Sequence, residues 1–196
     1  MPAVRTSHAY IQAALEIARS VRSDDVEEIT IHCGGLALLA SEPLPLRRRP
    51  LTSIDAKFSI PFIVSVALAH HKVLLGDFLP KNLGDPAVLS LADRVRVRHD
   101  PRLDDGAGFR GAGMVKAVLE VKTRDGNTRT ARVEYAHGGP DDPMSVDERR
   151  AKFEDCAAYS AVPIPAADIR RIIELVSTLE QQEDLRELFQ LLNGRR

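Results

Sequence analysis

The segment Phe58-Ser-Ile-Pro-Phe-Ile-Val-Ser-Val-Ala-Leu-Ala69 sets the strongest limit on how this chain can fold. Ile60, Phe62, Ile63, Val64, Val66, Ala67 and Leu68 make a helix from about Asp55 to His70 apolar on most faces. Such a helix has to be covered on most faces, so it belongs in the centre of a fold. Pro61 suits only its first turn; farther in, it would kink the helix. At 196 residues with 44% hydrophobic content, the chain can provide that cover as one well-buried domain with at most a small appendage.

The remaining periodicities alternate between helix and strand. Ile11, Ala14, Leu15 and Ala18 recur at helical spacing and predict a helix from Ser7 to Arg22, with Ser7 as N-cap. A strand is expected over Val26–Cys33, closed by Gly34-Gly35. The stretch from Ser41 to Thr52 holds three prolines and Arg47-Arg48-Arg49 and reads as a loop. Asp85-Pro86 offers an N-cap and first residue for a short helix to about Ala92, and Arg94 to Arg98 alternates as a strand with one buried face. Val115 to Val121 and Ala131 to Tyr135 alternate on either side of Asp125-Gly126, which is a hairpin signal. Three helices finish the chain. Ser145 and Glu148 form a capping box, Pro165 opens a second helix striped by Ile169, Ile172, Ile173 and Val176, and a third carries Leu185, Leu188, Phe189 and Leu192 up to Gly194. The fold class is therefore α+β, a small, largely antiparallel sheet with packed helices.

Charge and cysteine content exclude several functions. A formal net charge of −1 gives no electrostatic case for nucleic acid or an acidic membrane surface, and no apolar run reaches the roughly 20 residues a spanning helix needs. Met1 to His8 lacks the apolar core of a signal peptide, which points to a cytoplasmic address. Cys33 and Cys156 are far apart in no metal-like spacing, so neither a disulfide framework nor a chain-internal iron–sulfur cluster is expected. Dehydration chemistry would have to run on acid and base side chains.

Single motifs carry less. Gly106-Ala-Gly-Phe-Arg-Gly111 spells a dinucleotide fingerprint, but a polar loop precedes it and a strand follows, whereas the motif needs a strand before and a helix N-terminus after. It reads as a loop. Arg47-Arg48-Arg49 could clamp a polycarboxylate or simply face water. Arg94, Arg96, Arg98 and Arg102 read as the exposed side of a sheet. His70-His71 ends a helix, where imidazoles meet the C-terminal dipole. His32, His99 and His137 sit on or beside strands without ligand spacing. His8, at the very start of a helix, is either an ordinary first-turn polar residue or a functional one.

Four segments in order carry a resemblance that weighs these options. They are Thr6-Ser7-His8-Ala9 with Pro2 ahead of it, Asp55-Ala-Lys-Phe-Ser-Ile-Pro-Phe62, Gly76-Asp-Phe78 with Asp85-Pro86, and Gly138-Gly-Pro-Asp-Asp-Pro-Met-Ser145 with Lys152-Phe153. Together they resemble the C-terminal half of the MmgE/PrpD family, which includes 2-methylcitrate dehydratases and cis-aconitate decarboxylases. The match covers most of residues 1–160, implying an α+β lid domain over that span and a helical segment at 161–196 packing on it. The resemblance implies a lyase of small polycarboxylates, working by proton abstraction next to a carboxylate, without metal or cofactor. It implies His8 as the catalytic residue and Lys57 and Ser59 as substrate-binding residues, with Lys57 alternatively a structural ion-pair partner. The family's lysine ahead of the proline has no counterpart here, and some relatives carry tyrosine at the position of Phe62. The family's larger helical N-terminal domain is not among these residues, so a helical partner is expected to complete the active site. The alternative expectation is a non-catalytic binding or dimerisation module, and either way a homo-oligomer.

Overall fold

The computed structural model describes residues 1–104, 116–140 and 142–193, which fall into two compact units, Met1–Pro143 and Met144–Arg196. The fingerprint at 106–111 and the terminal Gly194 lie outside the described residues.

In the first unit, helix α1 (His8–Ala18) leads to strand β1 (Val26–Cys33), then short helices α2 (Gly35–Leu39), α3 (Leu44–Arg48) and α4 (Ser53–Lys57). Helices α5 (Ile60–His70) and α6 (Pro86–Ala92) follow, and then β2 (Val95–His99), β3 (Ala117–Thr123) and β4 (Thr128–Val133). The sheet order is β2-β1-β3-β4. The two pairings that involve β3 are antiparallel, but β1 runs parallel to β2, with Ile29 opposite Val95, so the sheet is mixed. The parallel pair follows from connectivity, because five helices lie between β1 and β2 and a parallel crossover needs such a length of chain. Gly126, with φ +85°, closes the β3–β4 hairpin expected from Asp125-Gly126.

Inward residues Ile29, Ile31 and Cys33 on β1 and Ala117, Leu119 and Val121 on β3 face the core at period two. Helix α1 packs on β3 and β4 and also on α5, which itself packs on α6, α3 and α4. Every α5 residue from Ile60 to Leu68 is buried, as its composition requires. Its one internal hydroxyl, Ser65, donates back to the Pro61 carbonyl at 2.8 Å, so no buried polar atom on the helix is orphaned there.

The expected single helix from Asp55 is two. Helix α4 is capped by Thr52, whose oxygen accepts from the Asp55 N–H, and the chain breaks at Phe58 before Ser59 caps α5. Pro61 lies in the first turn of α5, where its missing N–H costs nothing. The proline-rich stretch expected as loop contains α3. Its arginines bond to neighbouring elements, Arg47 and Arg48 from half-buried positions and Arg49 from an exposed one. Arg47 donates to the carbonyls of Glu42 and Leu39, Arg48 to that of Val95, and Arg49 pairs with Asp93 at 2.6 Å. Tyr135 lies past the end of β4 and is 58% exposed. Ser7 closes a 3-10 turn (Arg5–Ser7) and donates to Val4 O at 2.6 Å instead of capping α1.

His70 does more than meet a helix dipole. Its Nδ1 lies 2.9 Å from Asp77 and its Nε2 3.1 Å from Asp85, the N-cap of α6. It thereby ties the end of α5 to the following turn (Leu75–Phe78) and to α6.

The second unit holds α7 (Val146–Ala157), α8 (Ala166–Ser177) and α9 (Arg186–Leu192). Ser145 and Glu148 form the expected capping box, each accepting from the other's backbone N–H. The small core is Ile172, Leu175 and Leu188, flanked by Phe153, Ile164 and Leu191. Arg171 bridges Glu174 and Glu187 and so links α8 to α9.

Two stability outcomes follow from the first unit. Ser59→Ala strips Phe62 N and Arg47 O of a buried partner, and should cost about 1–3 kcal/mol. Urea unfolding should show a lower midpoint at unchanged slope. For Asp85, burial alone would raise the carboxyl, but the Ala87 N–H and the His70 ring outweigh it and hold it below the usual carboxylate range. A depressed folded value stabilises above the unfolded value of about 3.9 and is lost as pH falls through the folded one. Asp85→Asn should therefore flatten the acid limb of a stability–pH curve, where the wild-type chain loses stability as pH falls below about 4.

Candidate functional site

Burial on two sides leaves α1 a single stripe with access to solvent. Ala9, Tyr10, Ile11, Ala13, Ala14, Ile17 and Ala18 are buried, whereas His8, Gln12 and Glu16, spaced by four, are not. The Tyr10 hydroxyl is anchored on the far side, donating to His32 O at 2.9 Å, and burial holds its phenol well above the ordinary range. The helix that carries His8 is therefore fixed from the sheet, and His8 is presented at its first turn.

The segment before α1 connects His8 to Lys57. Val4 N donates to the Lys57 carbonyl at 2.9 Å, and the His8 Nε2 lies 3.1 Å from Ala3 O. A carbonyl only accepts, so Nε2 carries the proton and Nδ1 is the basic atom of the neutral ring. Lys57 ends α4 in a half-buried position, and among the described residues its ammonium forms no ion pair. Ser59, two residues on, is fully buried. Its hydroxyl donates to Arg47 O and accepts from Phe62 N, so it works within the α4–α5 elbow. Phe62 itself is fully buried in the core.

On the other side of His8, Gln12 Oε1 accepts from the His137 N–H at 2.9 Å, and His137 Nδ1 lies 3.0 Å from an Asp142 carboxylate oxygen. One bonded run thus leads from Lys57 through Ala3–Val4 and the His8–Gln12 stripe to the loop after β4. Sequence reading singled out His8 and Lys57 but not Gln12, His137 or Asp142. The i, i+4 spacing of His8 and Gln12 was the one available signal, since the contact between Gln12 and residue 137 exists only once α1 lies on β4.

Chemically, an imidazole can move a proton and an ammonium can pair with a bound carboxylate. Among the described residues, no group of three or more His, Cys, Asp or Glu side chains is arranged to hold a metal ion. No described helix is long and apolar enough to cross a membrane. A band of large apolar side chains is exposed along the short helices and their connections: Leu39, Leu46, Leu51, Ile54 and Phe58.

The family model for the MmgE/PrpD C-terminal domain matches residues 1–181. The cis-aconitate decarboxylase-like protein oryM of Aspergillus oryzae is 33% identical over 146 residues, covering 74% of this chain and 28% of that protein. A cis-aconitate decarboxylase of Aspergillus terreus is 27% identical over 164 residues, 83% of this chain and 30% of that protein. The mouse cis-aconitate decarboxylase is 24% identical over 145 residues, 74% and 28% respectively. The chain thus spans under a third of the length of the curated relatives it matches.

The ring geometry makes one expectation directly measurable. Long-range proton–nitrogen NMR of the chain at alkaline pH should show His8 as the Nε2–H tautomer, with the downfield, unprotonated nitrogen at Nδ1.

Proposed function

The chain belongs to the MmgE/PrpD family, and from that premise we propose that it is the C-terminal part of a lyase acting on small polycarboxylates of the 2-methylcitrate or aconitate type. Proton abstraction next to a carboxylate is the reaction step. His8 is the acid–base group through Nδ1, Lys57 pairs with a substrate carboxylate, and Ser59 holds the elbow that places Lys57. The observation that carries this reading is the backbone bond from Val4 to Lys57, which joins the end of α4 to the segment leading into the turn that presents His8. A helical domain supplies the rest of the site and covers the apolar band at Leu39, Leu46, Leu51, Ile54 and Phe58. The reading extends to a cytoplasmic address, which the two free thiols Cys33 and Cys156 fit.

The exposed apolar band also favours a second reading, a binding module that covers those residues by dimerisation. Proton NMR turnover assays with 2-methylcitrate, citrate and cis-aconitate, with and without the helical domain of a relative, separate the two. The lyase reading expects turnover with that domain present and a fall of about 10²–10⁴ in His8→Ala. A folded chain that binds the helical domain, turns over none of the three and sediments as a dimer by itself would establish the second reading instead.

A further inference from the structure

We propose that the unit Met144–Arg196 pairs with the same unit of a second copy of the chain, the exposed stripe of α9 in each copy lying in a recess between α7 and α8 of the other. The pairing goes beyond the lyase reading and does not depend on it.

The stripe arises from the way α9 is fixed. Leu188 is buried in the small core with Leu191 beside it, and Arg171 on α8 donates to the Glu187 carboxylate through two nitrogens, at 2.8 and 2.9 Å. Leu185, Phe189 and Leu192, spaced by four and three, share another side of the helix and are 38%, 59% and 45% exposed. An exposed row of large apolar side chains on one face marks an interaction surface. Helix α9 lies past residues 1–181, the span that the family model matches, so the stripe is not among the features that place the chain in its family.

The recess belongs to the same unit. Val146 and Phe153 on α7 and Ile173 and Val176 on α8 line it, and it encloses about 510 Å³. It stays open because α7 buries Ala157 alone, while α8 turns Ile172 and Leu175 to the core and leaves Val176 53% exposed. A groove of this kind accepts the apolar face of a helix, read as anchors three, four and seven residues apart. The unit's own α9 does not fill it, since Leu188 and the Arg171 bridge hold that helix with its stripe in solvent.

Charge selects the occupant. Arg149 and Arg150 also line the recess. Among the described residues the Arg149 side chain forms no hydrogen bond or ion pair, and Arg150 reaches Asp147 at 3.4 Å with both groups exposed. The segment entering α9 has the opposite sign. Glu180 and Glu183 are exposed and unpaired among the described residues, whereas Asp184 and Glu187 already hold Arg186 and Arg171. Each copy thus carries an apolar recess flanked by free cations and an apolar stripe preceded by free anions. A two-fold axis lets both contacts form at once in a closed dimer, with the charges fixing the register.

Sedimentation equilibrium of the whole chain should show a dimer in the micromolar range. Arg149→Glu with Arg150→Glu, and separately Glu180→Arg with Glu183→Arg, should each raise the dissociation constant at least about tenfold, because like charges then face each other. Mixing the two variants should restore the dimer, since every recess then meets a stripe segment of opposite sign. All four positions are exposed, and circular dichroism checks that each variant stays folded. Ile54→Glu, in the apolar band of the first unit, should leave the dimer unchanged. An unmutated chain that remains monomeric at submillimolar concentration overturns the proposal. So does a dimer that survives both charge reversals, a mixture that fails to pair, or a dimer lost on Ile54→Glu, which would assign the pairing to the apolar band. Turnover with a helical domain is read separately, so this pairing and the lyase reading can each fail alone.

Discussion

A helix with apolar side chains on nearly every face can persist in water only if other elements enclose it, and α5 imposes that condition on everything around it. Its neighbours α1, α3, α4 and α6 come from both before and after it in the chain. Helix α1 meets a second demand at the same time, because its other side covers β3 and β4. A helix buried from two directions keeps one narrow stripe, and on α1 that stripe begins with His8. Access at this position is thus a by-product of core packing.

The polar groups near this core follow the same rule. Tyr10, Ser41, Ser59 and Ser65 each find a backbone carbonyl inside the fold, so their burial carries no unsatisfied hydroxyl. Arg47 and Arg48 serve the same end at the margin of the unit, by closing carbonyls on α2, its flanking loop and β2. Around the start of α1 the part-exposed groups include His8, Gln12 and, at the end of α4, Lys57. The apolar band at Leu39, Leu46, Leu51, Ile54 and Phe58 sits outside this economy, unburied within its own unit. It fits a chain that corresponds to under a third of its relatives' length.

Much of the architecture was legible where the signal is local. Alternation located the strands, Asp125-Gly126 located the hairpin, and Ser145 with Glu148 located the start of α7. Errors arose where a neighbour distant in sequence decides. The break between α4 and α5 depends on Ser59 reaching Arg47 O, and the helix inside the proline-rich stretch depends on guanidinium groups reaching α2 and β2. Ser7 resembled an N-cap by residue type, yet its hydroxyl is taken by Val4 in the turn before α1. Tyr135 continued the alternation of β4 in sequence, but the strand ends at Val133 and leaves the ring exposed.

The sequence by itself determined that α5 lies at the centre, that the fold is α+β, and that His8 opens a helix, because period and residue type act within a few positions of each other. Tertiary structure alone decided that β2 runs parallel to β1, that Lys57 lies beside the His8 turn, and that His137 hangs from Gln12 across 125 positions. Those relations come from hydrogen bonds and packing between segments whose separation leaves no imprint on local periodicity, so they exist only once the core has closed.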